Sequence, residues 1–415
     1  MVIKPKPRVV VVGGGFGGLE TAFYLRKRLL EHVDITLISD TDYFLFKPNL
    51  IYVPFGLTPE SLKIPLIRPA SRKNIALVNA RVVDVDPAKQ EVLTDKGDRY
   101  GYDYLVLATG AIGHPEEIEG LKENAFVLWT PQEMQRLGRA LQDLQVSSAK
   151  IPQILFLVPQ GSHYVAPLYE MVFMIDTWLR RKGVRRGVNM VWTTHESKYL
   201  ESFGVRMHEL LLPEFAERDI RHYNHLNVIK VEKGRVVYHN GDSYPYDMLI
   251  TFPPYLAATH FASLPADERG FVPTEPHTRR VRGFDNVYVA GDGGDFPLKQ
   301  GFAAFTQADA IGEDIASRIL GETPRFGFKP FGMVVMEHLN KATFAQVPLQ
   351  TMGGVRVIDE SPDYKTGTSA LWRLGKMMMG AYLPWRFNAG EPLRSGLAWE
   401  SIEAGRKMLS DVLAR

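Results

Sequence analysis

The chain has 415 residues, of which 45% are hydrophobic and 23% charged, and its formal net charge is +2. A chain of this length is expected to form two or three domains, and so small a net charge gives no argument for a nucleic-acid partner. The sequence contains no cysteine, which excludes disulfides, thiolate nucleophiles and cysteine-bound metals. Its eleven histidines do not cluster at metal-ligand spacing, so no metal site is expected.

The sequence lacks the patterns of a signal peptide and of a membrane-spanning helix. The apolar run after the basic N-terminal residues contains only four valines, at 9–12, before glycines begin. No run reaches the roughly 18 consecutive apolar residues that a spanning helix needs. A cytoplasmic location is therefore the expectation.

Residues 8–39 have the pattern of a βαβ unit. Residues 8–12 (RVVVV) and 35–39 (ITLIS) predict buried parallel strands, and residues 19–30 have the apolar spacing of a helix. The loop between the first strand and the helix fits GxGxxG, a pattern in which glycines permit the tight turn, the approach of a pyrophosphate and close helix packing. We expect the helix N-terminus to face the phosphates of a dinucleotide. The residues expected to line this site are Gly13, Gly14, Gly15, Phe16, Gly17 and Gly18.

The end of the second strand is the expected place for a side chain that holds a ribose. Ser39 ends this strand and Asp40 follows it. We expect Asp40 to bind a ribose hydroxyl, and a solvated aspartate at a strand end is the alternative.

The rest of the chain repeats the alternation of strands and helices. Residues 154–158, 167–182 and 189–193 predict a second βαβ unit, whereas residues 326–415 are rich in Met, Trp and Pro. The fold class expected is α/β, with two Rossmann-like, doubly wound, three-layer domains and a C-terminal α+β segment. The expected division is 1–125 with 265–322 as the first nucleotide-binding domain, 126–264 as the second, and 323–415 as the C-terminal domain.

Two further segments resemble FAD-dependent pyridine nucleotide–disulfide oxidoreductases. They are YLVLATG at 104–110 and VYVAGDGGD at 287–295. The resemblance implies FAD as cofactor, with Asp292 near the ribityl chain and the helix that starts near Gly301 aimed at the flavin. The further cofactor contacts that it implies are Lys47, Val83, Thr109, Gly110, Gly291, Lys299 and Phe302.

The resemblance is sharpest to sulfide:quinone oxidoreductases and flavocytochrome c sulfide dehydrogenases. It is carried by ITLISDTDYFLFKP (35–48), SLKIPL (61–66), GSHYVAPLYE (161–170) and MGAYLPWRFNAG (379–390). It implies electron transfer through FAD to a quinone. In that family, cysteines near the flavin carry a persulfide, but their positions are occupied by Trp129 and Tyr164, and a third has no counterpart. A phenol or an indole cannot replace a thiolate in this exchange, so the donor stays unidentified.

NADH is the alternative donor, as in the related type II NADH:quinone oxidoreductases. Their second glycine fingerprint would follow the strand at 154–158, where the sequence reads PQGSHYVAP with Gly161 as its only glycine. Side chains there would crowd a pyrophosphate. Glu196 is a candidate for holding a ribose, and a surface glutamate is the other interpretation.

Three residues are the catalytic candidates. Lys299 resembles a family lysine near the flavin that stabilises an anionic reduced ring, with a solvated loop lysine as the alternative. Glu170 is a candidate proton relay or a helix-surface acid. Tyr164 stands at the position of the reactive sulfur and is expected to fill that pocket.

The C-terminal segment combines bulky apolar and basic residues. Leu371, Leu374, Met378 and Tyr382 recur at helical spacing. This pattern favours peripheral attachment to a membrane surface, and a dimer interface or core helix is the alternative. The resemblance places a quinone here, flanked by Tyr382 and Trp385.

Three classes of function are consistent with the sequence. The first is a membrane-associated FAD-dependent quinone oxidoreductase. The second is a flavoprotein that docks a protein redox partner, and the third is a flavin-carrying subunit without turnover. A homo-oligomer is left open.

Overall fold

The structure is a computed structural model, and it describes residues 5–146, 151–350, 355–394 and 396–414. Two parallel sheets of five strands each are followed by a smaller antiparallel sheet that carries two long helices. The helices are α1 (Phe16–Leu29), α2 (Ile67–Arg72), α3 (Leu121–Asn124), α4 (Pro131–Gln142), α5 (Ala166–Arg181), α6 (Val205–Glu217), α7 (Gly301–Leu320), α8 (Ala370–Ala389) and α9 (Gly396–Leu413).

The strands are short, and most lie in the two parallel sheets or in the small antiparallel sheets that cover them. In the first part of the chain they are β1 (Arg8–Val12), β2 (Asp34–Ser39), β3 (Tyr43–Leu45), β4 (Lys63–Pro65), β5 (Ala76–Asn79), β6 (Val82–Asp86), β7 (Glu91–Thr94), β8 (Arg99–Gly101), β9 (Tyr104–Leu107), β10 (Ala111–Gly113) and β11 (Phe126–Val127). Beyond them are β12 (Gln153–Val158), β13 (Asn189–Thr194), β14 (Ile220–Tyr223), β15 (Val228–Glu232), β16 (Arg235–Tyr238), β17 (Ser243–Pro245), β18 (Met248–Thr251), β19 (Tyr255–Ala257), β20 (Val287–Val289), β21 (Phe331–Glu337), β22 (Ala342–Gln350), β23 (Arg356–Val357) and β24 (Lys365–Ser369).

The first parallel sheet carries the glycine loop. Its strand order is β20-β9-β1-β2-β5. Alternate side chains of β1 point to opposite faces: Val9 and Val11 pack with α1 and α7, whereas Val10 and Val12 pack against the antiparallel sheet β6-β7-β8. Because both faces are covered, the run of valines predicted as a buried strand is explained by the structure.

The second parallel sheet repeats this architecture in the order β11-β18-β12-β13-β14. Ile154 and Phe156 of β12 pack with the helical side, which includes α4 and α5, and Leu155 and Leu157 pack against the antiparallel sheet β15-β16-β17. The predicted fold class of two Rossmann-like units is confirmed. In each unit helices cover one face, and a three-stranded antiparallel sheet forms the layer on the other face.

The C-terminal segment is an α+β unit, as predicted. β22 pairs antiparallel with β21 and with β24, and Trp372 of α8 stacks on Phe344 of β22 with ring centroids 4.0 Å apart. The side chain of Ser369 accepts a hydrogen bond from the Leu371 amide and caps the start of α8, and Gly390 ends it with a φ of +70°. Among the described helices, none combines the length and apolar character needed to cross a bilayer.

Candidate functional site

The turn after β1 depends on glycines that have no Cβ. Gly13 has a φ of +109°, and a Cβ there would lie 2.3 Å from the Ala108 carbonyl oxygen. A Cβ on Gly18 would lie 1.9 Å from the carbonyl oxygen of Gly13, so α1 packs directly on the turn. A Cβ on Gly15 would meet no heavy atom within 4 Å, which leaves this side of the turn open. The three glycines therefore have the geometry that a pyrophosphate-binding turn requires.

The N-terminus of α1 is available to an anion. No side chain caps it, and its first turn contains no acidic residue. The first amide N–H groups of a helix have no intrahelical acceptor, and the helix dipole adds a positive partial charge there. A phosphate is the ligand that such a terminus accepts most readily.

The end of β2 approaches this turn. A Cβ on Gly14 would lie 2.8 Å from the hydroxyl oxygen of Ser39, and Ser39 is buried. Asp40 is more than half exposed, with its carboxylate 3.8 Å from Arg81 Nε. The structure therefore places Asp40 at the predicted edge, facing solvent and a cation. Val83, two residues after Arg81, lies at a β-bulge of the β6–β7 pair and is 49% exposed.

The GDGGD segment meets the loop after β9. Gly291 has a φ of +80°, and its amide donates to the Gln307 side-chain oxygen at 2.9 Å. A Cβ on Gly293 would lie 3.4 Å from the hydroxyl oxygen of Thr109 and 3.5 Å from the amide nitrogen of Gly110. Gly110 has a φ of +76° and open space on its Cβ side. These loops therefore come together at the carboxyl ends of β9 and β20.

Two lysines act on the carboxyl group of Asp292. Burial raises the pKa of Asp292, and the positive charges of Lys299 and Lys47 oppose that rise. Lys299 is 5% exposed, and burial lowers its pKa to about 8 against the opposing effect of Asp292. The Lys299 ammonium donates to the Gly294 carbonyl and lies 3.6 Å from the centre of the Phe271 ring. Lys299 is thus a buried cation, which excludes the alternative of a solvated loop lysine.

Aromatic side chains support the start of α7. The Phe16 ring lies 4.9 Å from Phe44 and 5.1 Å from Phe305, and a Cβ on Gly301 would lie 3.4 Å from it. Phe302 lies 4.9 Å from Phe331 of β21. Phe16 and Phe305 therefore pack in the core between α1 and α7, which holds the N-termini of the two helices side by side.

The structure adds two residues that the sequence did not single out. The Nε2 atoms of His163 and of Gln300 are buried without a hydrogen-bond partner among the described residues. Burial and the positive charges of Lys299 and Arg269 together lower the pKa of His163 to about 4, so its imidazole is neutral at neutral pH. The charge of Lys299 acts on His163, and Gln300 follows Lys299 in the chain. A bound ligand with acceptor atoms would supply the missing hydrogen-bond partner of each. His163 lies within the 161–170 stretch and Gln300 follows Lys299, but neither pattern indicates a role for them, because that role depends on contacts between distant loops.

Tyr164 lies in an aromatic cluster beside Asp292. Its ring is 6.4 Å from Phe203, and burial raises its pKa, with Glu170 and Asp292 adding to the rise. Burial and Asp292 likewise raise the pKa of Tyr255. In the described part of the chain neither phenol has a hydrogen-bond partner. The Trp129 ring joins the cluster through Phe252, with a centroid distance of 6.2 Å, and Phe252 lies 5.5 Å from Tyr255.

Glu170 connects α5 to the C-terminal unit. It is 6% exposed, and its carboxylate accepts hydrogen bonds from the Lys376 ammonium of α8 and from the Glu337 amide at 3.2 Å. Burial raises its pKa, whereas Lys376 lowers it. The Lys376 ammonium also donates to the Val335 carbonyl at 2.7 Å. The alternative of a helix-surface acid is therefore wrong, because the carboxylate is enclosed and ion-paired.

Tyr382 and Trp385 lie next to each other on α8, with ring centroids 5.9 Å apart. The Tyr382 hydroxyl is buried without a described partner, and Trp385 is 58% exposed. The pair thus spans the boundary between the protein interior and solvent.

The loop after β12 is closed by its own side chains. The Gln160 amide bonds to both backbone groups of Val228, at 2.9 and 3.1 Å, and the Ser162 hydroxyl donates to the Phe252 carbonyl at 3.0 Å. Glu196 is 6% exposed and accepts from the hydroxyls of Tyr169 and Thr194 at 2.8 and 2.9 Å. The interpretation of Glu196 as a surface acid is wrong, because its side chain is buried. The internal hydrogen bonds also use the carboxylate oxygen that a ribose would need.

The residues of the first unit fit an FAD. The open side of Gly15, the uncapped start of α1 and the backbone turns at Gly110 and Gly291 form a continuous edge. The α7 N-terminus has no side-chain cap and no acidic residue in its first turn. Phosphates at one end and an electron-accepting ring at the other are the groups that these features complement.

Comparison with known proteins agrees with this geometry. Residues 7–308 match the model of the family described as pyridine nucleotide-disulphide oxidoreductase. A sulfide-quinone reductase of Aquifex aeolicus is 34% identical over 246 residues, which cover 57% of this chain and 55% of that protein. A type II NADH:quinone oxidoreductase of Staphylococcus aureus is 24% identical over 355 residues, which cover 80% of this chain and 87% of that protein. The crystal structure of the Aquifex aeolicus sulfide:quinone oxidoreductase superposes with a TM-score of 0.84 at 24% identity, covering 96% of this chain and 95% of that one.

Gly15 and Gly18 are expected to respond differently to the same substitution. Gly18→Ala should cost about 3 kcal/mol of stability or more, because the new Cβ overlaps a backbone oxygen. Gly15→Ala should leave the stability of the apoprotein unchanged but weaken FAD binding by roughly tenfold or more, since its Cβ enters the phosphate space. Urea unfolding of the apoprotein and fluorescence titration with FAD measure the two effects. Gly375→Ala, which also faces open space, is the control, and wild-type FAD affinity in Gly15→Ala would contradict the assignment.

Glu196 should make stability fall as the pH rises. Burial raises its pKa from 4.5 to about 7, so the unfolded chain releases this proton first on going from pH 4 to pH 8. Relative to Glu196→Gln, the wild type should lose about 3 kcal/mol of unfolding free energy across this window. Urea unfolding at several pH values measures the difference, with the exposed Glu209→Gln as control. Parallel pH profiles for wild type and Glu196→Gln would show that this carboxyl titrates normally.

Proposed function

This chain belongs to the pyridine nucleotide-disulphide oxidoreductase family, and from that membership we propose a flavoenzyme that passes electrons from a donor to a quinone at a membrane surface, without a persulfide. In this proposal residues 1–125 and 265–322 hold FAD, 126–264 form a second nucleotide fold that has lost its nucleotide, and 323–415 carry the membrane and quinone contacts.

The acceptor is the best supported part of the proposal. One group of relatives is named for sulfide and quinone, and another for NADH and quinone. The two groups differ in the donor and share the acceptor. The observation that carries the proposal is that this chain resembles both groups while lacking the donor machinery of either.

Two features argue against sulfide and NADH as donors: the absence of cysteine and the closed loop after β12. The chain has no cysteine, and Tyr164 and Trp129 occupy the positions of the family's sulfurs. Gln160 and Ser162 close the loop that would receive the NADH pyrophosphate. A donor that reaches the flavin without a covalent sulfur intermediate is therefore the class we propose.

FAD supplies two-electron acceptance and stepwise release to the reaction when it is bound. The N-terminus of α1 binds its pyrophosphate, and Asp292 orients its ribityl chain. Lys299 and the start of α7 stabilise negative charge at the reacting end. Tyr164 and Tyr255 exclude water and offer neutral hydroxyl donors, because burial keeps both phenols protonated.

Reduction of a quinone to a quinol also consumes protons. Because burial raises the pKa of Glu170, its carboxyl keeps a proton at a higher pH than an exposed glutamate does. Its partner Lys376 lies on α8, the helix that carries Tyr382 and Trp385. We assign to Glu170 the relay of protons toward the quinone, and to Tyr382 and Trp385 the flanks of the quinone.

The outer face of α8 supports the membrane contact. Leu371, Leu374, Met377, Met378 and Trp385 are each at least 47% exposed. Apolar residues at this spacing, with an exposed Trp near the end, suit insertion into the headgroup boundary in the plane of the bilayer.

Anaerobic mixing tests the enzyme directly. Quinone should restore the oxidised flavin spectrum of protein reduced with dithionite, whereas neither NADH nor low concentrations of sulfide should bleach it. Bleaching by NADH would show instead a function like that of the type II NADH:quinone oxidoreductases. Bleaching by sulfide would show that sulfide reduces the flavin without a cysteine. Failure of every quinone to reoxidise the flavin would remove the proposed acceptor.

Flotation tests the membrane contact of α8. Leu374→Asp with Met378→Asp should lower binding to neutral phosphatidylcholine vesicles by about tenfold or more, because charge enters the apolar face. Ile112→Asp with Ile229→Asp, at exposed apolar positions outside the C-terminal unit, is the matched control. Equal flotation of the two double variants would rule out α8 as the attachment site.

A further inference from the structure

A cavity of about 930 Å³ lies between the first unit and the C-terminal segment. Its walls come from α1, α7, the segment 325–331 and the residues around the start of α9. Cavities of roughly 300 to 1,000 Å³ are typical of sites for small molecules. None of the residues assigned to FAD or to the quinone lines this cavity, and the expected FAD contact Phe302 lines only a narrower cavity beside it.

Positive charge dominates the lining of this cavity. It contains Lys27, Arg28, Arg325, Lys329 and Arg394, against the single carboxylate of Asp309. An excess of this size is local, because the net charge of the whole chain is only +2.

Three of these cations already have carboxylate partners. Arg394 pairs with Asp309 at 2.6 Å, Arg325 pairs with Glu313 at 2.6 Å, and Arg28 pairs with Glu322. Lys27 and Lys329 are exposed, and no ion pair is formed by either one within the described residues. Two ammonium groups are therefore left to bind an anion at the mouth of the cavity.

The rest of the wall is aromatic. Tyr24 and Phe326 meet edge to face, with ring centroids 6.3 Å apart, and Phe331 and Trp399 line the same cavity. A narrower cavity of about 140 Å³ shares Phe331, Arg394 and Trp399 with it and extends it. The space thus offers cations at one part of its wall and flat apolar surfaces at another.

We propose that this cavity binds a phosphate ester that also has an apolar or aromatic part, with Lys27 and Lys329 holding the phosphate. Charge-assisted hydrogen bonds to phosphate are among the strongest that such side chains make, and a neutral ligand would leave both lysines without a counter-charge. Aromatic walls supply the contact area for the apolar part. The proposal does not depend on the donor, on the quinone or on the membrane contact of α8.

Two sources supply this chemistry, a soluble phosphate ester and the head group of an anionic lipid. The FAD-loaded, full-length protein is titrated by calorimetry with phenyl phosphate, which has both a phosphate and an aromatic part, and with inorganic phosphate, which lacks the aromatic part. It is also floated with vesicles of phosphatidylcholine with and without phosphatidylglycerol. Saturable binding of phenyl phosphate, tighter than that of inorganic phosphate, assigns the first source. A gain in vesicle binding that requires phosphatidylglycerol assigns the second.

The test variant is Lys27→Gln with Lys329→Gln, which removes two charges without breaking a described ion pair. The control is Lys198→Gln with Lys233→Gln, two exposed lysines that do not line the cavity. The test variant should weaken the observed binding by about tenfold or more, and the control should not change it. Absence of binding by both kinds of probe, or equal weakening in the two double variants, would overturn the proposal.

Discussion

The arrangement of this molecule depends on one backbone contact, between the carbonyl group of Gly13 and the Cα of Gly18. Any side chain at Gly18 would lie within 2 Å of that oxygen, so only glycine allows α1 to begin directly behind β1. This placement keeps the first amide groups of α1 at the carboxyl edge of the sheet, where β2, β9 and β20 also end. The backbone at that edge is suited to bind a phosphate without a charged side chain in the turn.

The other loops reach the same edge through equally close contacts. A Cβ on Gly17 would lie 2.9 Å from that of Ala290, and the Gly293 backbone lies against Thr109. The Phe16 ring then fills the space between α1 and α7 with Phe305. Small residues bring the backbones together, and aromatic residues fix the helices. This combination leaves the uncapped starts of both helices beside the buried charges of Asp292 and Lys299.

The sequence predicted the features that are encoded locally. A run of valines followed by glycines specifies a buried strand and a turn, so β1, α1 and the class of fold could be predicted from residues 8–39. Features that depend on distant contacts could not be predicted. The ion pair of Glu170 with Lys376 and the hydrogen bond from Tyr169 to Glu196 each join segments far apart in the chain. The burial of the unpartnered atoms of His163 and Gln300 likewise results from distant segments that pack around them. No spacing rule connects such residues, because only the folded chain brings them together.

The aromatic cluster around Tyr164 supports the part of the proposed function in which the donor reacts without a persulfide. A thiolate can form and pass on a bond to sulfur, whereas a protonated phenol can only donate or accept a hydrogen bond and exclude water. Burial and the nearby carboxyl of Asp292 both raise the pKa of Tyr164, which opposes its ionisation and so any nucleophilic role. Under the proposed function, a phenol at this position would leave no covalent sulfur chemistry there, whereas the glycine turn and the lysines around Asp292 belong to the first unit. In the proposed function the donor side and the acceptor side can differ independently, because Tyr164 and Trp129 belong to the second unit, whereas Tyr382 and Trp385 lie on α8.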